Sequence, residues 1–383
     1  MKKFIFKATS VVALIAVLQF FVGCAGQKQQ QIETITKIKV GIFFGHGGSE
    51  TCKWETMEAI RIDKEMVPYF ITSADIASGC LDTLDAIIVP GGGGSRQYLN
   101  LGHVNMTKIK DFVSAGGGAV GICAGAYLFS NTPEYSCMAI NGAKAIDIEH
   151  DNRGHGLAKF TLTDEGKAIF TEIANLDTAF VYYYEGPVFV EADNDTITYQ
   201  TFAIMESDVH EQGNAPKDMT NNKPFFIGNE FGKGRVFSTI AHPEATPGMR
   251  WLIPRMVRWT LNKEFVEYSK NAVRPEIHTA EILFSVDMLR QESKYFRTFL
   301  YSTPEEKIAA LDWLEKNISW DAKRWVQGLV YDQSPQVRAR AAQYIANSEF
   351  TYYLPDLRGV IKNEQDSVAK SALQNAIDFL NEI

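Results

Sequence analysis

The chain has 383 residues, is 45% hydrophobic, and sets 38 Lys and Arg against 46 Asp and Glu, a formal charge of −8. An acidic surface of this kind argues against nucleic acid as a partner and against electrostatic docking to anionic lipid. The length and apolar content suffice for more than one packed core.

Residues 1–23 read as a signal peptide: Lys2, Lys3 and Lys7 form a positive start, and residues 8–22 are almost wholly apolar but short for a bilayer span. Phe21-Val22-Gly23-Cys24 resembles a bacterial lipobox, in which cleavage leaves Cys24 as the lipidated N-terminus. An ordinary signal peptide with a leftover thiol is the alternative. Lipidation predicts a protein anchored to a membrane of the bacterial cell envelope, outside the cytoplasm, since each buried methylene adds about 0.8 kcal/mol. Cleavage removes three lysines and takes the formal charge from −8 to −11. Residues 24–36, rich in glutamine, form a tether.

A strand is predicted over residues 37–44, followed by Gly45-His46-Gly47-Gly48. A dinucleotide fingerprint would need a third glycine where Glu50 stands, so that reading is rejected. A helix over residues 52–64, a strand over 67–71, a strand over 85–90 and a helix over 106–114 follow. Alternation at this spacing predicts a parallel sheet covered on both faces, with ligands at the carboxyl ends of its strands. The third strand ends in Gly91-Gly92-Gly93-Gly94, whose bare N–H groups suit a developing oxyanion.

Gly117-Gly118-Ala119-Val120-Gly121-Ile122-Cys123-Ala124-Gly125-Ala126-Tyr127 then reads as a buried strand turning sharply into a helix, with Cys123 on the turn, as in nucleophile elbows. A small buried cysteine is the plainer reading. The polar run Glu149-His150-Asp151-Asn152-Arg153-Gly154-His155 has no fixed spacing for metal ligands and is read as a solvated loop, so neither metal nor cofactor is expected. Strands over 159–163, 181–184 and 187–191 follow. Tyr184-Glu185-Gly186-Pro187 is a turn that either walls the pocket or packs in the core. Residues 207–222 read as an exposed loop. Late in this part comes a strand, Gly234-Arg235-Val236-Phe237-Ser238-Thr239-Ile240, and then Ala241-His242-Pro243-Glu244. His242 and Glu244 fall on one side of an extended segment, which lets Glu244 hold the tautomer of His242. Nucleophile, base, orienter and oxyanion loop are then all present.

The order of these motifs resembles class I glutamine amidotransferases. More narrowly it resembles the amidotransferase-like domain named for the N-terminus of biotin–protein ligases, through Cys123-Ala124-Gly125-Ala126-Tyr127, Arg153-Gly154-His155-Gly156, Tyr184-Glu185-Gly186-Pro187, Gly232-Lys233-Gly234-Arg235-Val236 and His242-Pro243-Glu244. The resemblance covers about residues 38–262, within an α/β domain placed at residues 37–262. It implies a flavodoxin-like, three-layer α/β fold with a parallel sheet and a Cys123–His242–Glu244 triad. It also implies oxyanion donors from the Gly92–Gly93 region and the amide of Ala124, and it puts Arg153-Gly154-His155-Gly156 beside the cleft. It does not imply biotin ligation, because the chain has no Gly-Arg-rich biotinyl-adenylate loop.

Of the five cysteines, Cys24 goes to lipid and Cys123 to the elbow. Outside the cytoplasm a disulfide is permitted, and Cys52–Cys80 is the first pair to test; a buried free thiol at each position is the other reading. After a helix over residues 250–261, glycine nearly disappears and helical periodicity runs to the end. Residues 263–300 read as linking helices, one or two long ones starting at residue 276. Residues 301–383 resemble HEAT repeats: residues 332–342 echo 363–372, with Val337 and Val368, then Ala341 and Ala372, in equivalent places. Such units supply a face for a protein partner or, equally, a helical cap. The functional expectation is a Cys-His-Glu amidase or acyl-transfer hydrolase of the envelope acting on a small-molecule or peptide amide. The alternative is a catalytically inactive, lipid-anchored binding or scaffolding module.

Overall fold

The structure, a computed structural model, describes residues 37–193 and 196–383. The expected signal peptide, Cys24 and the tether lie outside the described residues. In chain order the first half runs β1 (Ile38–Phe43), α1 (Glu50–Arg61), β2 (Met66–Ile71), α2 (Ser73–Ala77), β3 (Ala86–Val89), α3 (Gly94–Ser114), β4 (Gly118–Ile122), α4 (Ala124–Phe129), β5 (Ala143–Ala145), β6 (His155–Leu162), α5 (Asp164–Ile169), β7 (Ala179–Tyr184) and β8 (Phe189–Glu191). The sheet part closes with β9 (Gln200–Met205), β10 (Lys223–Phe231), β11 (Gly234–Thr239) and α6 (Leu252–Thr260). A short strand β12 (Ile282–Leu283) precedes the helices α7 (Val286–Tyr301), α8 (Pro304–Lys316), α9 (Ala322–Leu329), α10 (Pro335–Asn347), α11 (Leu354–Val360) and α12 (Ser367–Glu382).

The large sheet has the order β12-β6-β9-β10-β11-β4-β3-β1-β2, with β7 also on β6. Its β2-β1-β3-β4-β11 half is parallel, and the remainder is antiparallel. The expected parallel sheet is therefore mixed. Strands that follow one another through a tight turn can only return antiparallel. The two residues Gly232 and Lys233 close β10 onto β11 in this way, with Gly232 at φ 62.

Alternation along the parallel strands sends Val40, Ile42, Ile88, Val120 and Ile122 to one core, and Phe43, Ile87, Val89, Ala119 and Val236 to the other. Both faces of the sheet are thus covered. The first of these cores continues without a break into the helices, through Phe299, Leu311, Val326, Tyr344 and Leu380. Residues 37–383 accordingly form one compact unit.

Two helix boundaries differ from the sequence reading. α3 starts at Gly94, not at residue 106, and is interrupted at Gly102, whose φ of 70 and ψ of 158 are not helical. Residues 276–285 are not helical beyond a single turn at Pro275–Ile277; Ile282 and Leu283 instead pair with Leu157 and Gly156 at the sheet edge. The helical echo also needs adjustment. Val337 is buried but Val368 is 70% exposed, while Ala341 and Ala372 are both buried. The caps explain it: Ser334 caps α10 and Asp366 caps α12, 32 residues apart, whereas the two valines are 31 apart. One residue of slip turns a helix face by about 100°, so Ala369 takes the inward place of Val337.

Candidate active site

Four connections leave the carboxyl edge of the parallel half and meet there. The loop after β1 and the loop after β3 bridge at Gly48 and Gly92, through Ser49 N–H to the Gly91 carbonyl at 2.9 Å and Gly93 N–H to the Gly47 carbonyl at 2.8 Å. β4 ends at Cys123, whose N–H donates to the Thr239 carbonyl of β11 at 2.8 Å. Cys123 has φ 50 and ψ −107, backbone that a side chain adopts at a cost of about 1–3 kcal/mol. Close packing enforces this elbow. A β-carbon on Gly125 would lie 2.0 Å from the Val89 carbonyl oxygen, so only glycine lets the turn sit against β3.

Past β11, His242 caps a single helical turn, Pro243–Ala245, that carries Glu244. That turn is pinned to β7: His242 N–H donates to the Tyr182 carbonyl at 2.7 Å, Tyr182 N–H to Thr246 Oγ1 at 2.9 Å, and Thr246 Oγ1 to the His242 carbonyl at 2.8 Å. Glu244 Oε1 lies 2.8 Å from His242 Nδ1, with both side chains buried. A β-carbon on Gly91 would come within 2.6 Å of the His242 ring, so the glycine loop also lets the imidazole approach. Burial alone would push His242 down. Glu244 above all, then Cys123 and Cys52, outweigh that and hold the imidazole well above its ordinary value.

Cys123 and His242 face one cleft of about 460 Å3, which is also lined by Cys52, Gly92, Gly93, Arg96, Ala124, Tyr184, Glu185 and Trp320. The Cys123 thiol donates to the Tyr184 carbonyl at 3.5 Å. The Gly93 amide is committed to Gly47, and Gly92 and Ala124 line the cleft with Cys123. The Tyr184 ring stacks on His155, with centroids 4.5 Å apart, and lies 5.5 Å from Trp320. His155, between Tyr184 and Phe284, is pushed down to about 4 by burial. Arg153 is fully buried beneath the Tyr184–Gly186 turn. It bonds Tyr183 Oη, Asp147 Oδ2 at 2.7 Å and the Gly186 carbonyl. Of the polar run around it, Arg153 and His155 are thus packed, not solvated.

Cys52, Glu185, Arg96 and Trp320 are among the cleft residues that were not predicted as site residues. Cys52, in the first turn of α1, lies 3.8 Å from His242 Nδ1. It is a free thiol, as is Cys80, so the pair tested for a disulfide is not joined. The reason is placement: Cys52 follows the carboxyl end of β1, whereas Cys80 precedes the amino end of β3, the opposite edge of a parallel sheet. The Gly-rich loop just before Cys52 was the available signal. Cys52, His242 and Glu244 offer donor atoms within 4.8 Å of one another, a set that could hold a metal ion. Glu185 sits at φ 49 and is pushed up to about 7 by burial, with Asp151 adding to the rise and Arg153 opposing it. Arg96 lines the same cleft on an exposed side chain.

Trp320 comes from the helical part. Its ring lies 4.8 Å from that of His242, and Lys323 Nζ sits 4.2 Å above it. Lys323 reaches Glu55 Oε1 at 3.4 Å, Glu55 Oε2 pairs with Arg250 at 3.0 Å, and Arg250 Nε donates to the Glu244 carbonyl at 2.9 Å. A buried line of charge therefore joins the helices to the turn that carries His242. No local pattern marked Trp320.

The carboxyl edge of this mixed α/β sheet thus joins a cysteine elbow to a His–Glu turn. The family model described as biotin-protein ligase, N terminal, matches residues 38–262, and the chain belongs to that family. Solved structures similar to it include a thua-like protein from Parabacteroides merdae, at 15% identity over 61% of this chain and 94% of that one, TM-score 0.42. The glutaminase domain of a Trypanosoma brucei CTPS with bound acivicin aligns at 12% identity over 62% of this chain and 100% of that one, TM-score 0.40. A beta-galactosidase from Bacillus circulans aligns at 12% identity over 64% and 33%, TM-score 0.36. No curated protein matches the chain.

Proposed function

We propose that the protein is a cysteine-dependent amidase or acyl-transfer hydrolase, anchored in the envelope through Cys24, acting on a small-molecule or peptide amide. The observation that carries this reading is the strained Cys123 elbow facing the same cleft as His242, whose Nδ1 is held by buried Glu244. In this mechanism Cys123 Sγ attacks the amide carbon and His242 receives the thiol proton. The amides of Gly92 and Ala124 hold the oxyanion, and Glu244 stabilises the imidazolium. His242 returns the proton to the leaving amine, and water, deprotonated by His242, then releases the acyl group. The thiol must first leave the Tyr184 carbonyl, a rotation that substrate can induce, since catalytic hydrogen bonds tighten on binding. Tyr184 and Trp320 wall the cleft, while Glu185 and Arg96 supply charge for substrate recognition. We take the helices as a HEAT-like cap on this cleft because Trp320 lines it; a protein partner on their outer face is a separate proposal.

One observation favours the inactive binding module instead: the Cys123 thiol is 6% exposed and already has an acceptor in Tyr184. Profiling the purified chain against a library of amides separates the two readings. The account expects turnover of at least one class, lost by on the order of 10^4-fold in Cys123→Ala. Turnover that survives Cys123→Ala would refute the triad.

A further inference from the structure

Cys52 takes no part in the proposed reaction, yet it shares an imidazole nitrogen with Glu244. Its sulfur lies 3.8 Å from His242 Nδ1, and Glu244 Oε1 lies 2.8 Å from the same nitrogen. One donor atom from each of the three residues falls within 4.8 Å of the other two. All three side chains are buried, and Cys52 and His242 border the cleft of about 460 Å3, which gives an ion a way in. Glu244 Oε2 is buried with no hydrogen-bond partner, so this carboxylate keeps acceptor capacity that the imidazole does not use. Arg250, which donates to the Glu244 main-chain carbonyl, has its own charge matched by Glu55 at 3.0 Å.

A thiolate, an imidazole and a carboxylate are donors that zinc takes, at about 2.3, 2.0 and 2.1 Å, whereas calcium and magnesium want oxygen ligands. Donors at those lengths around a tetrahedral ion stand about 3.3–3.6 Å apart. The 3.8 Å separation is already close to that, and the 2.8 Å one needs to open by about half an ångström. We propose that Cys52 Sγ, His242 Nδ1 and the Glu244 carboxylate form a site for zinc or a like divalent transition ion, with its fourth position open to the cleft. The ion displaces the Cys52 thiol proton and the proton on Nδ1, and both pass to solvent. A further consequence rests on the amidase reading. With the ion on Nδ1, the ring keeps its proton at Nε2 and cannot accept one from Cys123, so loading silences the nucleophile.

The test is a titration of the full chain, stripped with EDTA under reducing conditions, with Co2+ as a spectroscopic probe and Zn2+ as competitor. The expected result is saturable cobalt binding with a thiolate-to-cobalt charge-transfer band that zinc removes. Cys52→Ala and the nearly isosteric Cys52→Ser should both lose the band. Glu244→Gln should weaken cobalt by about tenfold or more, while Cys123→Ala should bind as the parent does. Absence of the band in the parent, its survival in either Cys52 variant, its loss in Cys123→Ala, or cobalt affinity unchanged in Glu244→Gln would overturn the site. The cobalt spectrum needs no turnover, so its outcome is separate from that of the amidase reading. Saturating zinc should also slow alkylation of Cys123 by iodoacetamide about tenfold or more in the parent, but not in Cys52→Ala; an unchanged rate in the parent would overturn the silencing.

Discussion

The parallel half of the sheet and the helical part both build the cleft, but by different means. The sheet supplies it with backbone: a glycine loop after β3, an elbow after β4 and a pinned turn after β11, all at the carboxyl edge where parallel strands end. The helical part supplies it with a single side chain, Trp320 against His242. Backbone features need particular residues in particular order, so they leave motifs. A side chain delivered from a distant helix needs only the right tertiary placement. A site can therefore be recognised from its motifs while its walls, and with them its selectivity, stay hidden.

The comparison breaks if the helices prove dispensable. Arg250 joins the two parts through Glu55 and the Glu244 and Glu349 carbonyls, with its side chain 2% exposed. Arg250→Met should cost about 3–5 kcal/mol in urea unfolding, because it removes an ion-pair partner of buried Glu55 and a donor to the Glu244 and Glu349 carbonyls. The exposed pair Arg290–Asp287 within α7 is the control, and Arg290→Met should leave the midpoint unchanged. Equal midpoints for the two variants would show the parts to be independent.

A smaller effect sharpens the account of the cleft itself. Glu185 is raised from 4.5 to about 7 by burial in the first place. A carboxyl raised in this way favours the folded state fully below pH 4.5, and that contribution is lost as pH rises through 7. Glu185→Gln should remove this slope, so that parent and variant diverge in stability between pH 4.5 and 8, with the variant the more stable at the alkaline end. Parallel curves for the two proteins would place Glu185 in water and outside the recognition surface.

Much of the fold was legible because alternating strands and helices with buried apolar runs admit few arrangements. The elbow, the glycine loop and the His-Pro-Glu turn were legible for the same local reason. The antiparallel half was not, since runs such as Gln200–Met205 and Lys223–Phe231 say little about their pairing partners. Cys52 was assigned to a disulfide test because spacing cannot tell which edge of a sheet a cysteine faces. Glu185 lay within a recognised motif, yet its left-handed backbone depends on Arg153 and Tyr183 gripping Gly186 from below. Val368 was misplaced by one residue of helical phase, which the cap at Asp366 sets and the repeat pattern does not.

The central claim is that His242 activates Cys123. Its most direct measurement is the iodoacetamide alkylation rate of each thiol, followed by peptide mass in the parent and in His242→Ala. The account predicts that Cys123 reacts faster than Cys52, Cys80 and Cys137, and slows by about tenfold or more in His242→Ala. Equal Cys123 rates in the two proteins would contradict it.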